Sequence, residues 1–217
     1  MSTAKKYKLY LFDLDGTLLD SDEMLRLTFH DLYKLYKPKD FVIDDNKILS
    51  FSGPQITETM ANEFPEQDLD FMLSEWRRIS TGYYEKTAKL YDGADGLLRL
   101  MDEKQIKFGI ITNKHRKPTD FALKLVGIDD LNIFSICADE VTKLKPDHEG
   151  IEKAMKHFGI TDKKEVIYIG DSIYDFLTAK NAEVDFGFVT WSPRVLPNFC
   201  HPDLLIRKYA EFSEDFK

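Results

Sequence analysis

From residue 92 onward the chain keeps one rhythm, a short apolar run followed by a stretch with helical spacing, and few folds accommodate it. The runs are "KFGIIT" (107–112), "FSICA" (134–138), "EVIYIG" (165–170), "FGFVT" (186–190) and "DLLI" (203–206). Helical spacing fills the intervals over 97–103, 118–126 and 147–158, and again from Tyr174. Pro118 falls in one first turn, and Gly127 and Gly159 lie just past two helix ends. Strands joined through helices pair in parallel, and the helices then cover both faces of the sheet. Strands buried in this way are apolar on both sides rather than alternating. An earlier run over residues 7–13, with Leu9–Phe12 at its centre, supplies one more strand of the same kind.

Between about residues 18 and 90 the strand signals nearly vanish. Met24, Leu25, Phe29, Leu32 and Leu35 fall three or four apart, with Ser21 or Asp22 placed to cap the helix they imply. Residues 37–45 read as a loop, Gly53-Pro54 breaks the chain again, and Phe71, Leu73, Trp76 and Ile79 mark another helix. The expected architecture is α/β: a Rossmann-like parallel-sheet core from residues 1–17 and 91–217, interrupted by an all-helical domain at 18–90.

Composition narrows the partners. A chain of 217 residues with 43% hydrophobic content can bury a sizeable core. A net charge of −8 is the wrong sign for a general nucleic-acid binder, although it leaves room for a locally basic pocket that holds a small anion. Cys137 and Cys200 are far apart with no ligand-like neighbours, which suits reduced thiols in the cytoplasm. Lys5, Lys6 and Lys8 precede an apolar stretch far too short for a signal peptide or a membrane span. The expectation is a cytoplasmic protein, a monomer or weak homodimer, with neither nucleic acid nor membrane as partner.

The informative residues stand where the strands end. The first strand closes in Asp13-Leu14-Asp15, the second in Thr112-Asn113, and the fourth in Gly170-Asp171 with Asp175 four residues on; Lys145 follows the third. Taken singly, Lys145 is an ordinary solvated lysine, Thr112 a strand-end residue and Asp171 a helix N-cap. In an open parallel sheet, however, ligands bind beyond the carboxyl ends of the strands, so all of them belong to one crevice. Carboxylates gathered beyond mutual tolerance need a cation or a shared proton. Oxygen ligands without histidine or cysteine favour Mg²⁺ over zinc. Phosphoryl transfer uses such a set. Asp13 would attack and form an aspartyl-phosphate, and Asp15 would protonate the leaving oxygen and then activate water. Thr112, Asn113 and Lys145 would hold the phosphate oxygens. Asp13, Asp15 and Asp171 would hold the metal, supported by Asp175.

Four motifs in this order resemble the haloacid-dehalogenase-like superfamily. They are "DLDGT" (13–17), "ITN" (111–113), "KLKPD" (143–147) and "GDSIYD" (170–175). The resemblance covers the core almost end to end and implies a Mg²⁺-dependent phosphatase acting on a small phosphorylated metabolite. It implies that the helical block is a cap domain. "FSGPQITETM" (51–60) is similar to a cap segment of phosphoglycolate-phosphatase-like and pyrophosphatase-like members. Two positions depart from the family pattern. Lys-Pro-x-Pro is Lys145-Pro146-Asp147-His148 here, and a glycine that often precedes the fifth strand is Glu183, which bears on turn geometry. Asp15 disfavours the dehalogenase and phosphonatase branches and keeps the sugar-phosphate mutase branch as an alternative.

Gly53 and Gln55 are the candidate cap contacts, with Lys47, Arg77, Arg78 and Tyr83 if they face the cleft, while Trp76 and Trp191 read as core or rim. The five histidines match no metal spacing, and His115 is of interest only for following Asn113 closely. Two other classes fit less well. A receiver-like signalling domain would place its accepting aspartate on a later strand, and a catalytically silent binding module would have lost a charged motif residue.

Overall fold

The computed structural model describes residues 7–216. Strand β1 (Leu9–Phe12) is followed by the two-residue β2 (Leu19–Asp20) and four helices: α1 (Asp22–Tyr36), α2 (Asp45–Leu49), α3 (Ile56–Glu63) and α4 (Leu69–Thr87). Then come β3 (Lys89–Leu90), α5 (Ala94–Glu103), β4 (Lys107–Ile111), α6 (Arg116–Leu125) and β5 (Phe134–Ile136). The chain continues through α7 (Glu149–Phe158), β6 (Val166–Gly170), α8 (Ile173–Ala182), β7 (Asp185–Val189), β8 (Leu204–Ile206) and α9 (Tyr209–Ser213). These elements form two compact units, Met1–Leu19 with Leu90–Lys217, and Asp20–Lys89.

The first unit is a six-stranded sheet ordered β5-β4-β1-β6-β7-β8, with every pairing parallel. β1 lies inside it, all four residues buried, because Leu-Tyr-Leu-Phe has an apolar side chain for each face. Leu9 and Leu11 pack into one core with Ile151 and Ala154 of α7 and Phe176 of α8. On the opposite face the Tyr10 ring meets Phe212 of α9 at 6.1 Å. Register places the site: Phe12 pairs with Ile110 on one side and Ile169 on the other. The residues that follow β1, β4 and β6 therefore emerge at one level. Just beyond β1, the Tyr91 N–H donates to the Leu18 carbonyl at 3.0 Å, so the points where the chain leaves and rejoins this unit are adjacent.

The second unit has its own core of Leu25, Phe29, Leu32, Tyr33, Ile48, Met60, Phe64, Met72 and Leu73, with Trp76 packed against it. Helix α1 starts at Asp22 with Ser21 before it and presents Met24, Leu25, Phe29 and Leu32 as the buried stripe that their spacing implies; Leu35 is exposed. Helices α2 and α3 lie where spacing announces no element. α2 has five residues, too few for a periodic stripe, and is held by the Asp44 carboxylate, which accepts from the Asn46 N–H at 2.7 Å.

Glu183 ends α8 in the left-handed region at φ 60°, so this departure from the family's glycine lies where an L side chain is strained. Its carboxylate accepts from Lys163 at 3.2 Å, a surface pair of little worth. Glu183→Gly is expected to stabilise the protein by about 1 kcal/mol. Urea denaturation measures this, and a variant less stable than the parent would contradict it.

Candidate active site

Each functional side chain is held by the local structure around it. Asp13 continues β1, and its N–H donates to the Ile169 carbonyl at 2.8 Å, keeping it in register with β6. The chain then turns through Gly16 at φ +83°, with the Leu18 and Leu19 amides donating to the Leu14 carbonyl at 3.0 and 2.9 Å. Gly16 is required twice over, since a Cβ here would also sit 2.1 Å from Asp171 Oδ2. Asp175 is the third residue of α8 and forms a capping box with Ser172. Its Oδ2 accepts from Ser172 Oγ at 2.6 Å and from the Ser172 and Asp171 amides at 3.1 and 3.2 Å. Gly170 lets that carboxylate fold back, because a Cβ there would meet Asp175 Cβ at 2.3 Å.

Lys145 crosses to the other side of this arrangement. Its ammonium donates to Asp13 Oδ1 and to Asp175 Oδ1, each at 2.7 Å, and to the Tyr168 hydroxyl at 3.0 Å. Asn113 fixes the lysine's main chain: its Oδ1 accepts from the Lys145 N–H at 3.0 Å and its Nδ2 donates to the Lys145 carbonyl at 3.2 Å. The Asn113 side chain is therefore engaged in placing Lys145. Thr112 is buried, and its Oγ1 accepts from the Lys114 N–H at 3.1 Å.

Burial dominates the electrostatics. It pushes the Asp13 carboxyl up to about 8; Lys145 opposes that rise, while Asp175 and Asp171 add to it. Burial also works against the Lys145 ammonium, but Asp13 and Asp175 reverse the effect and hold its pKa above the ordinary lysine value. Asp175 resists its own burial through Lys145, Ser172 and Tyr168 and stays below the usual carboxylate range. Among the described residues, ligand oxygens of Asp13, Asp171 and Asp175 lie within 4.8 Å of one another. This all-oxygen set suits a hard divalent cation, and a rise at Asp13 that a lysine does not cancel is what a second cation relieves. Both oxygens of Asp175 already accept hydrogen bonds from the protein, an arrangement that suits a support for the other two.

Asp15 is outside that cluster. Its carboxylate faces the Lys114 ammonium, 2.9 Å from Oδ1 and 2.8 Å from Oδ2. Sequence spacing did not single out Lys114, nor Tyr168, Ser192 and Arg194. Arg194 Nη1 donates to Asp171 Oδ2 at 2.7 Å and Ser192 Oγ donates to the same oxygen at 2.8 Å, with both side chains of the ion pair nearly buried. Tyr168 carries a clue, a hydroxyl inside an otherwise apolar strand, whereas the loop after β7 carries none.

Gly53 and Gln55 lie in the helical unit, Gly53 at φ 113° and Gln55 at the residue before α3, where its Oε1 accepts from the Thr57 hydroxyl at 3.0 Å. Other candidate side chains there have partners in the same unit: Lys47 with Glu63 at 2.7 Å, Arg78 with Glu75 at 2.6 Å, and Tyr83 with Asp31 at 2.6 Å. Trp191 packs against Tyr209, with centroids 4.6 Å apart, and the His115 ring is largely exposed.

The haloacid dehalogenase-like hydrolase family model matches residues 10–189. Pyrophosphatase PpaX of Listeria monocytogenes serotype 4b is 34% identical over 209 residues, covering 95% of this chain and 94% of that protein. A crystal structure from Bacteroides fragilis, assigned as a haloacid dehalogenase-like hydrolase, matches with a TM-score of 0.82 and 27% identity over 95% of this chain and 100% of that one. A Lactobacillus plantarum structure assigned as a phosphoglycolate phosphatase shares the fold at a TM-score of 0.80 and 22% identity, over 97% and 99% of the two chains. Matched along most of its length by the family and nearly end to end by these relatives, the chain belongs to the haloacid dehalogenase-like hydrolases.

Proposed function

We propose that this chain is a Mg²⁺-dependent phosphatase that hydrolyses a small phosphorylated metabolite through an aspartyl-phosphate on Asp13. The observation that carries the reading is the Lys145 ammonium, 2.7 Å from both Asp13 and Asp175, beside a third buried carboxylate, Asp171. Pyrophosphate is the foremost substrate because the Listeria relative is named a pyrophosphatase, and phosphoglycolate is the next.

In this reading Asp13 attacks phosphorus while Lys145 and Thr112 bind the phosphoryl oxygens, and Asn113 keeps Lys145 in place. Asp15 serves the leaving oxygen and then takes the proton of the attacking water. When bound, Mg²⁺ supplies positive charge to the phosphoryl oxygens; the Asp13 and Asp171 carboxylates and the Asp15 carbonyl are the groups that would hold it. Residues 20–89 are the cap, with Gly53 and Gln55 as its contacts to substrate. No helix among the described residues is long and apolar enough to cross a membrane. A cytoplasmic enzyme, monomeric or weakly dimeric, completes the reading.

Asp13→Asn is expected to lower phosphate release by roughly 10³-fold or more. Asp15→Asn is expected to accumulate phosphate bound to the protein, visible by mass spectrometry after an acid quench. Normal turnover by Asp13→Asn would exclude it as nucleophile. Arg194→Met removes the guanidinium from the buried Asp171, at a cost of about 3 kcal/mol. For a chain of this size that lowers the metal-free Tm by about 6–12 °C. Mg²⁺ should then raise the variant's Tm more than the parent's, and equal responses would contradict the assignment of Asp171 as a ligand.

A further inference from the structure

We propose that Lys114 selects the leaving group, and that the group it selects is a phosphate, which makes a phosphoanhydride the favoured substrate. The inference rests on the assignment of Asp13 and Asp15 given above. The site has two ammonium groups in different surroundings. Lys145 is buried and bound to Asp13 and Asp175, on the side where phosphorus is attacked. Lys114 is on the rim, its side chain 16% exposed, and donates to both oxygens of Asp15, itself 21% exposed. The main chain of Lys114 is fixed: its N–H donates to Thr112 Oγ1 at 3.1 Å and its carbonyl accepts from Ala138 N–H at 3.0 Å.

The water that Asp15 activates enters where the leaving group departs, so Asp15 must lie beside the bridging oxygen. One hydrogen-bond length beyond it, the Lys114 charge lies within about 6 Å of that oxygen. Negative charge develops there as the bond breaks. A departing alcohol confines the developing charge to one oxygen, which a proton from Asp15 neutralises; a fixed charge elsewhere on it, such as the carboxylate of glycolate, does not grow as the bond breaks. A departing phosphate spreads the developing charge over several oxygens, some of them beyond the bridge and toward Lys114. Such a group is acidic enough to leave without a proton.

The steps balance. An Asp13 oxygen bonds to phosphorus as the bridging P–O bond breaks, and the electron pair stays with the departing phosphate, whose oxygens accept from Lys114. Water then bonds to the same phosphorus, its proton passes to Asp15, and the Asp13–phosphorus bond breaks to free a second phosphate. Asp15 returns the proton to solvent.

The test compares kcat/KM for pyrophosphate, phosphoglycolate and p-nitrophenyl phosphate, all with Mg²⁺, in wild type, Lys114→Met and Lys114→Arg. p-Nitrophenolate also leaves unprotonated but has no charged oxygens beyond the bridge. Lys114→Met is expected to lose about 30-fold more on pyrophosphate than on p-nitrophenyl phosphate, the size of one charged hydrogen bond, and Lys114→Arg to recover most of that gap. Equal losses on both substrates would reduce Lys114 to a support for Asp15 and overturn the proposal. So would a wild type that prefers phosphoglycolate or p-nitrophenyl phosphate to pyrophosphate, although the phosphatase reading would then stand. A wild type that turns over none of the three overturns both.

Discussion

An ammonium held between two buried carboxylates organises everything around it. Lys145 has to travel from the loop before α7 to reach Asp13 just after β1 and Asp175 on α8, and each contact is 2.7 Å. An isolated charge at any of these positions would cost several kcal/mol of desolvation, and breaking a buried pair typically costs about 3–5 kcal/mol. The neighbouring structure is arranged to keep the three together. Asn113 clasps the lysine's main chain, Ser172 saturates one oxygen of Asp175, and Gly170 allows the close fold-back. Parallel register makes this feasible, since β1, β4 and β6 end at the same level.

The same matching of charge explains the outer part of the site. Asp171 is paired with Arg194 and Asp15 with Lys114, so each carboxylate outside the central pair has its own cation. Among the described residues, and with these seven groups ionised, Asp13, Asp15, Asp171 and Asp175 set four negative charges against the three positive charges of Lys114, Lys145 and Arg194. Burial, with Asp175 and Asp171 adding to it, carries the Asp13 pKa upward. The remaining carboxylate oxygens are hard donors, the kind that suit a divalent cation.

Much of this was legible in the chain because the relevant residues sit at the boundary between two periodicities. Asp13, Thr112 and Asp171 each follow an apolar strand, and Asp175 lies in the first turn of the helix whose start Ser172 caps. Lys145 was legible only through the order of the motifs around it. Ser192 and Arg194 follow β7 in an irregular segment, where no period ties a side chain to a face, and their partner Asp171 is more than twenty residues away. Lys114 and Tyr168 carry no decisive signal of their own, since a lysine after a strand and a tyrosine within an apolar run occur widely without any chemistry. In the helical unit, α1 and α4 are long enough to show their buried stripes, whereas α2 and α3 depend on caps and packing more than on pattern.

The hydrogen bond between Tyr91 and Leu18 closes the sheet unit at the point where residues 20–89 are inserted. Since loop-closure entropy grows only slowly with length, an insertion whose ends already meet adds little strain to its host, whatever its size. The carboxylate cluster and the inserted helices are thus free to diversify separately. Exchange of the segment between these two residues would leave every strand of the six-stranded sheet where it is.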